Sequence, residues 1–232
     1  MKFLAVFLIV VLVTDLIAAE VGSGNKKNRV CGLQSATPRL SNGNLMPIES
    51  YPWTVAVYTR FGNRTRYCSG AFITSSHVLT AAHCFGGKEK KGKKPAKITI
   101  SYGSATPRQG TRMQVMGYYI HEDFGRLLND IAILLLPVPV NVTQKSRPIC
   151  LPESPSDVPG TRAIVTGWGT VKKDAEELKR ALTSLHKDGK KHFELLSTSQ
   201  VLWSTERCRV TFPSFDPQRQ ICAKVANTGP CK

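Results

Sequence analysis

The chain has 232 residues and a formal net charge of +16 at pH 7, which allows one large domain or two small domains with a sizeable core. The charge favours polyanionic surfaces such as heparin-like glycans, anionic membranes or nucleic acid. A basic surface without a dedicated partner is an equally good interpretation. No RNA- or DNA-binding motif is visible, so specific recognition of nucleic acid is not expected.

The N-terminal segment has the features of a secretory signal peptide. Lys2 precedes an apolar run over residues 3–13, and Ile17-Ala18-Ala19 offers a cleavage site. The alternative is a membrane anchor, but the run is too short to span a bilayer. No later stretch approaches the roughly 18 apolar residues of a membrane helix, so no span is predicted. We expect residues 1–19 to be removed and the protein to be secreted into the extracellular space.

Further along the chain, short apolar runs alternate with turns. Runs rich in Val, Ile, Thr and Tyr predict strands over residues 54–58, 68–74, 78–82, 97–102, 162–166 and 194–201. This spacing indicates an all-β barrel or sandwich. Leucines at helical spacing predict one short amphipathic helix over residues 174–186.

Two residues stand out as candidates for chemistry. His83 follows an apolar run and directly precedes Cys84, while Cys68 opens the same unit. It is either a buried histidine beside a disulfide or a catalytic base whose backbone is fixed by that disulfide. Asp130 precedes six apolar residues, and a charge at the mouth of a buried strand needs a partner. It is either an ordinary turn aspartate or the group that accepts a histidine ring N–H.

The surface loops carry modification and charge signals. Asn63-Arg64-Thr65 and Asn141-Val142-Thr143 are glycosylation sequons. Six lysines crowd the loop after His83 against a single acid, Glu89, and this loop is either simply solvated or an anion-binding exosite. These lysines are Lys88, Lys90, Lys91, Lys93, Lys94 and Lys97.

The seven cysteines should pair in an oxidising compartment, although spacing alone cannot assign their connectivity. No pair has the close Cys-x-x-Cys spacing of a zinc site, so we expect neither a metal ion nor another cofactor.

Five motifs together resemble the chymotrypsin/trypsin family of serine proteases. In chain order they are Tyr51-Pro52-Trp53, Thr80-Ala81-Ala82-His83-Cys84, Asn129-Asp130-Ile131-Ala132, Pro148-Ile149-Cys150-Leu151-Pro152 and Gly167-Trp168-Gly169-Thr170. The resemblance implies an all-β, two-barrel chymotrypsin-like fold with an incomplete second barrel. It also implies a propeptide over residues 20–39, a peptidase domain over residues 40–232, and activation by cleavage between Arg39 and Leu40.

The same resemblance assigns roles to single residues. It implies that His83 and Asp130 are catalytic and that the disulfides are Cys31–Cys150, Cys68–Cys84 and Cys208–Cys222. Cys231 is then left without a partner. The family's nucleophile motif, Gly-Asp-Ser-Gly-Gly-Pro, does not occur in these residues.

Two functions follow as alternatives. The first is a serine endopeptidase homologue that would cut protein or peptide substrates in a fuller form but is inactive as the sequence stands. The second is a non-catalytic protein that binds heparin-like polyanions or proteins through its basic loops. The sequence does not indicate an oligomeric state.

Overall fold

The computed structural model describes residues 31–35, 44–86, 94–125, 128–153, 158–168 and 194–223. Within these ranges the fold consists of two antiparallel sheets, two short 3-10 turns and one α-helix. The strands are β1 (Asn44–Leu45), β2 (Thr54–Phe61), β3 (Arg64–Phe72), β4 (His77–Thr80), β5 (Lys97–Tyr102), β6 (Thr111–Gln114), β7 (Gly117–Ile120), β8 (Ala132–Leu135), β9 (Arg162–Gly167) and β10 (Leu196–Val201). The helix is α1 (Thr205–Thr211).

The larger sheet has seven strands in the order β6-β5-β2-β3-β4-β8-β7. Its outermost strands, β6 and β7, are consecutive in the chain, so the sheet curls towards closure as a barrel. Alternate residues of β2 point inward, and Val55 and Val57 are fully buried against side chains from β3, β4, β5 and β8. Side chains that alternate across each strand thus fill one core, which these strands surround.

The smaller sheet has the order β1-β10-β9 in the described residues and lies against the first. Trp168, at the end of β9, is buried and donates its indole N–H to the Ala105 carbonyl at 2.7 Å. Gly167 approaches the first sheet so closely that a Cβ there would lie 2.8 Å from Ser69 Oγ. These contacts fix the second sheet on the outer face of the first.

The observed architecture confirms the all-β, two-barrel chymotrypsin-like class. The strand predicted over residues 78–82 is wrong at its end, because Ala82 belongs to a 3-10 turn over Ala82–Phe85. The helix predicted over residues 174–186 lies outside the described residues. In the part of the chain that the structure describes, no helix has the length and apolar character to cross a membrane.

The described residues form three disulfides: Cys31–Cys150, Cys68–Cys84 and Cys208–Cys222. These are the pairs that the resemblance implies. The first connects residues 31–35 to the body of the protein. The second joins β3 to the 3-10 turn that carries His83, and the third joins α1, through Cys208, to Cys222 in the segment that follows it.

Candidate active site

His83 is presented by a short turn whose other members are anchored. Ala82, Cys84 and Phe85 are buried, whereas the His83 side chain is 54% exposed. Cys84 is held from two directions, by its disulfide to Cys68 and by a hydrogen bond of 2.9 Å from Thr59 Oγ1 to its carbonyl. The turn therefore displays the imidazole on a backbone that is fixed on both sides.

Asp130 reaches the same place because strand register brings it there. β4 and β8 are antiparallel, with Thr80 opposite Ala132, so the residues just beyond these strand ends meet. Asn129 adopts a left-handed conformation (φ 52°) and its side chain donates to the Asp123 carbonyl at 3.1 Å. This local turn directs the Asp130 carboxylate towards His83, 47 residues away in the sequence.

The carboxylate of Asp130 accepts two hydrogen bonds from one residue. Its Oδ2 lies 2.7 Å from His83 Nδ1, and its Oδ1 accepts the backbone N–H of His83 at 2.8 Å. An ionised carboxylate can only accept, so Nδ1 must be the protonated ring nitrogen. The other nitrogen, Nε2, then keeps its lone pair on an exposed side chain and can take a proton from a neighbouring group.

Arg66 also contacts the turn that carries His83. Arg66 Nη1 donates to the His83 carbonyl at 2.9 Å, and its guanidinium lies 5.5 Å from the centroid of the Phe61 ring. The N–H of His83 is therefore bonded to Asp130, and its C=O accepts from Arg66 and, at 3.3 Å, from the Gly86 N–H. The imidazole is consequently oriented by backbone contacts as well as by its own hydrogen bond.

The cluster of Cys68, His83 and Cys84 has ligand atoms within 4.8 Å of one another. Metal ions are bound by cysteine as the thiolate. Both sulfurs here are joined in a disulfide, so this group does not offer a thiolate donor set.

A cleft of about 520 Å³ adjoins Asp130. One wall is formed by Asn129, Asp130 and Ile131, and the other includes Phe212, Phe215 and Ile221 from the loop after α1. Sequence reasoning missed this second wall. The available signal was the presence of apolar residues inside the short Cys208–Cys222 loop, two of which, Phe212 and Ile221, are 48% and 67% exposed.

The remaining sequence-predicted site residues lie in other parts of the fold. Asn63 is exposed in the turn between β2 and β3, and Asn141 is exposed in the connection that follows β8. Arg39, Leu40 and most of the lysine-rich loop after His83 lie outside the described residues.

Comparison with known proteins agrees with this geometry. Residues 40–231 match the family model described as Trypsin. Among characterised relatives, the proclotting enzyme of Tachypleus tridentatus is 35% identical over 155 residues, which is 61% of this chain and 41% of that protein. Mouse chymotrypsin-C is 36% identical over 153 residues, covering 62% and 51% of the two chains. The chain spans about half or less of the length of these relatives.

Solved structures show the same fold. A scabies mite inactivated protease paralogue, S-I1, superposes with a TM-score of 0.61 at 28% identity, covering 80% of this chain and 76% of that one. A structure titled HL collagenase has a TM-score of 0.62 at 22% identity, covering 78% and 72%. Fold and site together define a chymotrypsin-like protease architecture with a histidine–aspartate pair. With the match over residues 40–231, the chain belongs to the trypsin family of serine proteases.

Proposed function

We propose that this chain is a secreted homologue of the trypsin-family endopeptidases in which His83 is the general base and Asp130 is its orienting partner. The observation that supports this best is the double hydrogen bond from Asp130 to the ring and backbone of His83. Such an aspartate holds the tautomer that leaves Nε2 free to accept a proton, and it stabilises the imidazolium that forms. Protein and peptide substrates follow from this assignment.

The two residues supply half of the required chemistry. Peptide hydrolysis by this route also needs a serine hydroxyl as nucleophile and two N–H donors for the oxyanion. Residues 1–232 contain no Gly-x-Ser-x-Gly sequence. Loss of the serine alone costs on the order of a million-fold in turnover, or about 8 kcal/mol of barrier. We therefore propose that residues 1–232 by themselves do not hydrolyse peptide bonds.

The disulfides and the exposed glycosylation sequons support the proposal that the protein is secreted. Three disulfides suit an oxidising compartment. Both sequon asparagines, Asn63 and Asn141, are exposed and accessible to glycosylation. Residues 1–19 as signal peptide and 20–39 as propeptide, with cleavage between Arg39 and Leu40, complete the proposal.

The experiment compares two products of the same gene. Residues 1–232 expressed as a secreted protein should neither react with a fluorophosphonate probe nor cleave a peptide library. The intact mass of the native secreted protein, reduced and deglycosylated, then shows whether it is heavier than this chain. A heavier product should react with the probe and lose peptide cleavage in His83→Ala. Hydrolysis by residues 1–232 that persists in His83→Ala would contradict both assignments.

A second candidate function is binding of a polyanionic glycan or protein without catalysis. The observation that favours it is the distribution of charge in the first half of the chain. Residues 51–120 contain eleven lysines and arginines but a single acidic residue, Glu89. One structural relative at 28% identity is titled an inactivated protease, so the fold also occurs in a chain described as lacking protease activity. Retention on heparin, weakened by neutralising Lys90, Lys91, Lys93 and Lys94, tests this candidate.

A further inference from the structure

One exposed face of the first sheet collects cations from three adjacent strands. The register pairs Arg60 on β2 with Lys97 on β5, and paired residues point to the same side of a sheet. Arg112, on the neighbouring strand β6, places its guanidinium 5.5 Å from the centroid of the Tyr58 ring, two residues before Arg60. All three cationic side chains are exposed. We refer to Arg60, Lys97 and Arg112 as the cationic face.

No described acid balances this face. Strands β2, β3, β5 and β6 contain no aspartate or glutamate. The ion pairs found among the described residues are His83–Asp130, Lys145–Glu49 and Arg219–Asp216, all elsewhere in the fold. With neighbouring strands about 4.8 Å apart, the three cations occupy a strip roughly 10 Å wide. Cations that form no ion pair with any described residue are available to an external anion.

Both arginines of the cationic face are already oriented. Arg60 donates its Nε–H to the Gly62 carbonyl at 3.0 Å, which leaves its terminal nitrogens free to bind two oxygens of one anion. Arg112 is held against an aromatic ring, which limits its rotamers. Fixed guanidinium groups lose less conformational entropy on binding than free ones.

The groups between the cations are uncharged hydrogen-bonding side chains. The register places Thr99 opposite both Tyr58 and Gln114, between the Arg60–Lys97 pair and Arg112. A cleft of about 590 Å³ adjoins this face, and its lining includes Lys94, Lys97 and Gln114 together with Met116 and Tyr118. Hydroxyl and amide groups suit sugar hydroxyls, and the apolar part of the cleft suits the C–H face of a sugar ring.

We propose that the cationic face and its adjoining cleft bind a sulfated glycan chain. This inference rests on the polyanion-binding function proposed above, and assigns it to the sheet instead of to the lysine-rich loop alone. A sulfated glycan is favoured over an acidic protein because the face alternates cations with neutral polar groups on the exposed side of the sheet. The glycan would lie across β6, β5 and β2, with its sulfates on the two arginines and Lys97.

The test compares three variants for binding of a heparin oligosaccharide at several salt concentrations. Arg60→Gln/Lys97→Gln/Arg112→Gln should weaken binding by tenfold or more and reduce the salt dependence of log Kd by about one per lost contact, as for other polyanions. The matched control, Lys145→Gln/Arg162→Gln/Arg209→Gln, removes the same charge from other exposed positions and should change Kd by less than about twofold. Unchanged melting temperatures establish that both variants are folded.

A substitution that keeps the charge distinguishes a specific binding site from non-specific electrostatic attraction. Arg60→Lys keeps the charge but removes the guanidinium fork, so it should weaken binding by several-fold. If the face and control variants lose affinity equally, or only neutralisation of Lys90, Lys91 and Lys93 matters, the cationic face is not the site although polyanion binding stands. If the unmodified chain does not bind heparin, polyanion binding itself fails. Stronger competition by polyglutamate than by heparin would replace the glycan with an acidic protein.

Discussion

At the scale of single residues, the carboxylate of Asp130 determines which nitrogen of His83 carries the proton. In Asp130→Asn, the amide must turn its oxygen towards the His83 backbone N–H, because an NH₂ group cannot accept that bond. The NH₂ group then faces Nδ1, which must accept its hydrogen bond and so cannot carry the proton. We expect the His83 tautomer to switch from Nδ1–H to Nε2–H, as observed by nitrogen NMR of the imidazole ring.

Two other histidines serve as internal controls for this tautomer change. His77 Nδ1 lies 2.7 Å from Thr74 Oγ1, and His121 Nδ1 accepts the Asp123 N–H at 3.1 Å. Neither has Asp130 as a hydrogen-bond partner, so their ring signals should stay in place. An unchanged His83 tautomer in Asp130→Asn would show that Asp130 does not orient the ring in solution.

A second prediction at this scale concerns alkaline pH. Burial beside Tyr58, whose ring is 5.1 Å away, raises the pKa of the Tyr67 phenol above its ordinary value. A pKa that is higher in the folded than in the unfolded state gives stability that is complete below pH 10 and is lost as pH rises further. Burial also raises the pKa of Tyr102, so ultraviolet titration of phenolate should show a late phase to which Tyr67 contributes. Tyr67→Phe should reduce the amplitude of that phase by one phenolate. Loss of an early phase instead would contradict the assignment.

At the scale of strands, glycines differ in what surrounds them. A Cβ at Gly70 on β3 would lie 2.8 Å from the Leu79 carbonyl and 2.9 Å from Val78 Cγ1, both on the paired strand β4. Since a backbone atom cannot move without disturbing the sheet, Gly70→Ala should lower the free energy of unfolding by about 1–3 kcal/mol.

Gly117 on β7 provides the matched control for this substitution. A Cβ there would meet only Leu135 Cδ1, at an ordinary 3.7 Å. Gly117→Ala should therefore change the free energy of unfolding by no more than about 0.5 kcal/mol. Urea denaturation of both variants provides the measurement, and equal losses would mean that the β3–β4 contact is not the cause.

The elements differ in how far their sequences reveal them. The sequence predicts β5 with its observed bounds, because Ile98 and Ile100 alternate with the more exposed Lys97 and Thr99 and Tyr102 ends the strand. α1 was not predicted, because Cys208 is its only buried residue and no apolar stripe marks it. Its start depends on Ser204, whose Oγ accepts the Arg207 N–H, and a single cap is a weak signal in sequence. The strand predicted over residues 78–82 extends too far because Ala82, which begins the 3-10 turn, is as apolar and buried as the strand before it.

At the scale of the whole molecule, one part of the candidate site could be predicted from the sequence and another part could not. The pairing of His83 with Asp130 followed from motifs within each residue's own segment. The facing wall of the cleft, with Phe212 and Ile221, comes from a loop some 80 residues further along the chain. Its position depends on how the second sheet sits on the first, through contacts such as that from Trp168 to Ala105. Local sequence patterns do not encode such long-range placement.

The attachment of the N-terminal segment is also a property of the whole molecule. Residues 31–35 are held by the Cys31–Cys150 disulfide and by three hydrogen bonds. These run from Gly32 N to Pro148 O at 2.8 Å, from Ser35 N to Glu49 O at 3.1 Å and from Gln34 Nε2 to Ser50 O at 2.7 Å. Because each bond is worth about 1 kcal/mol net, the three together give about 3 kcal/mol, far below the 8 kcal/mol of a micromolar complex.

This comparison predicts what happens when the chain is cut between Arg39 and Leu40. In the native protein the peptide that contains Cys31 should stay attached under non-reducing conditions and separate on reduction, as seen by intact mass. In Cys31→Ser/Cys150→Ser it should dissociate after the cut without reduction, because hydrogen bonds of this total strength cannot retain it at micromolar concentration. Retention in the double variant would mean that contacts from residues outside 31–35 hold the segment, and that the disulfide is not what keeps it in place.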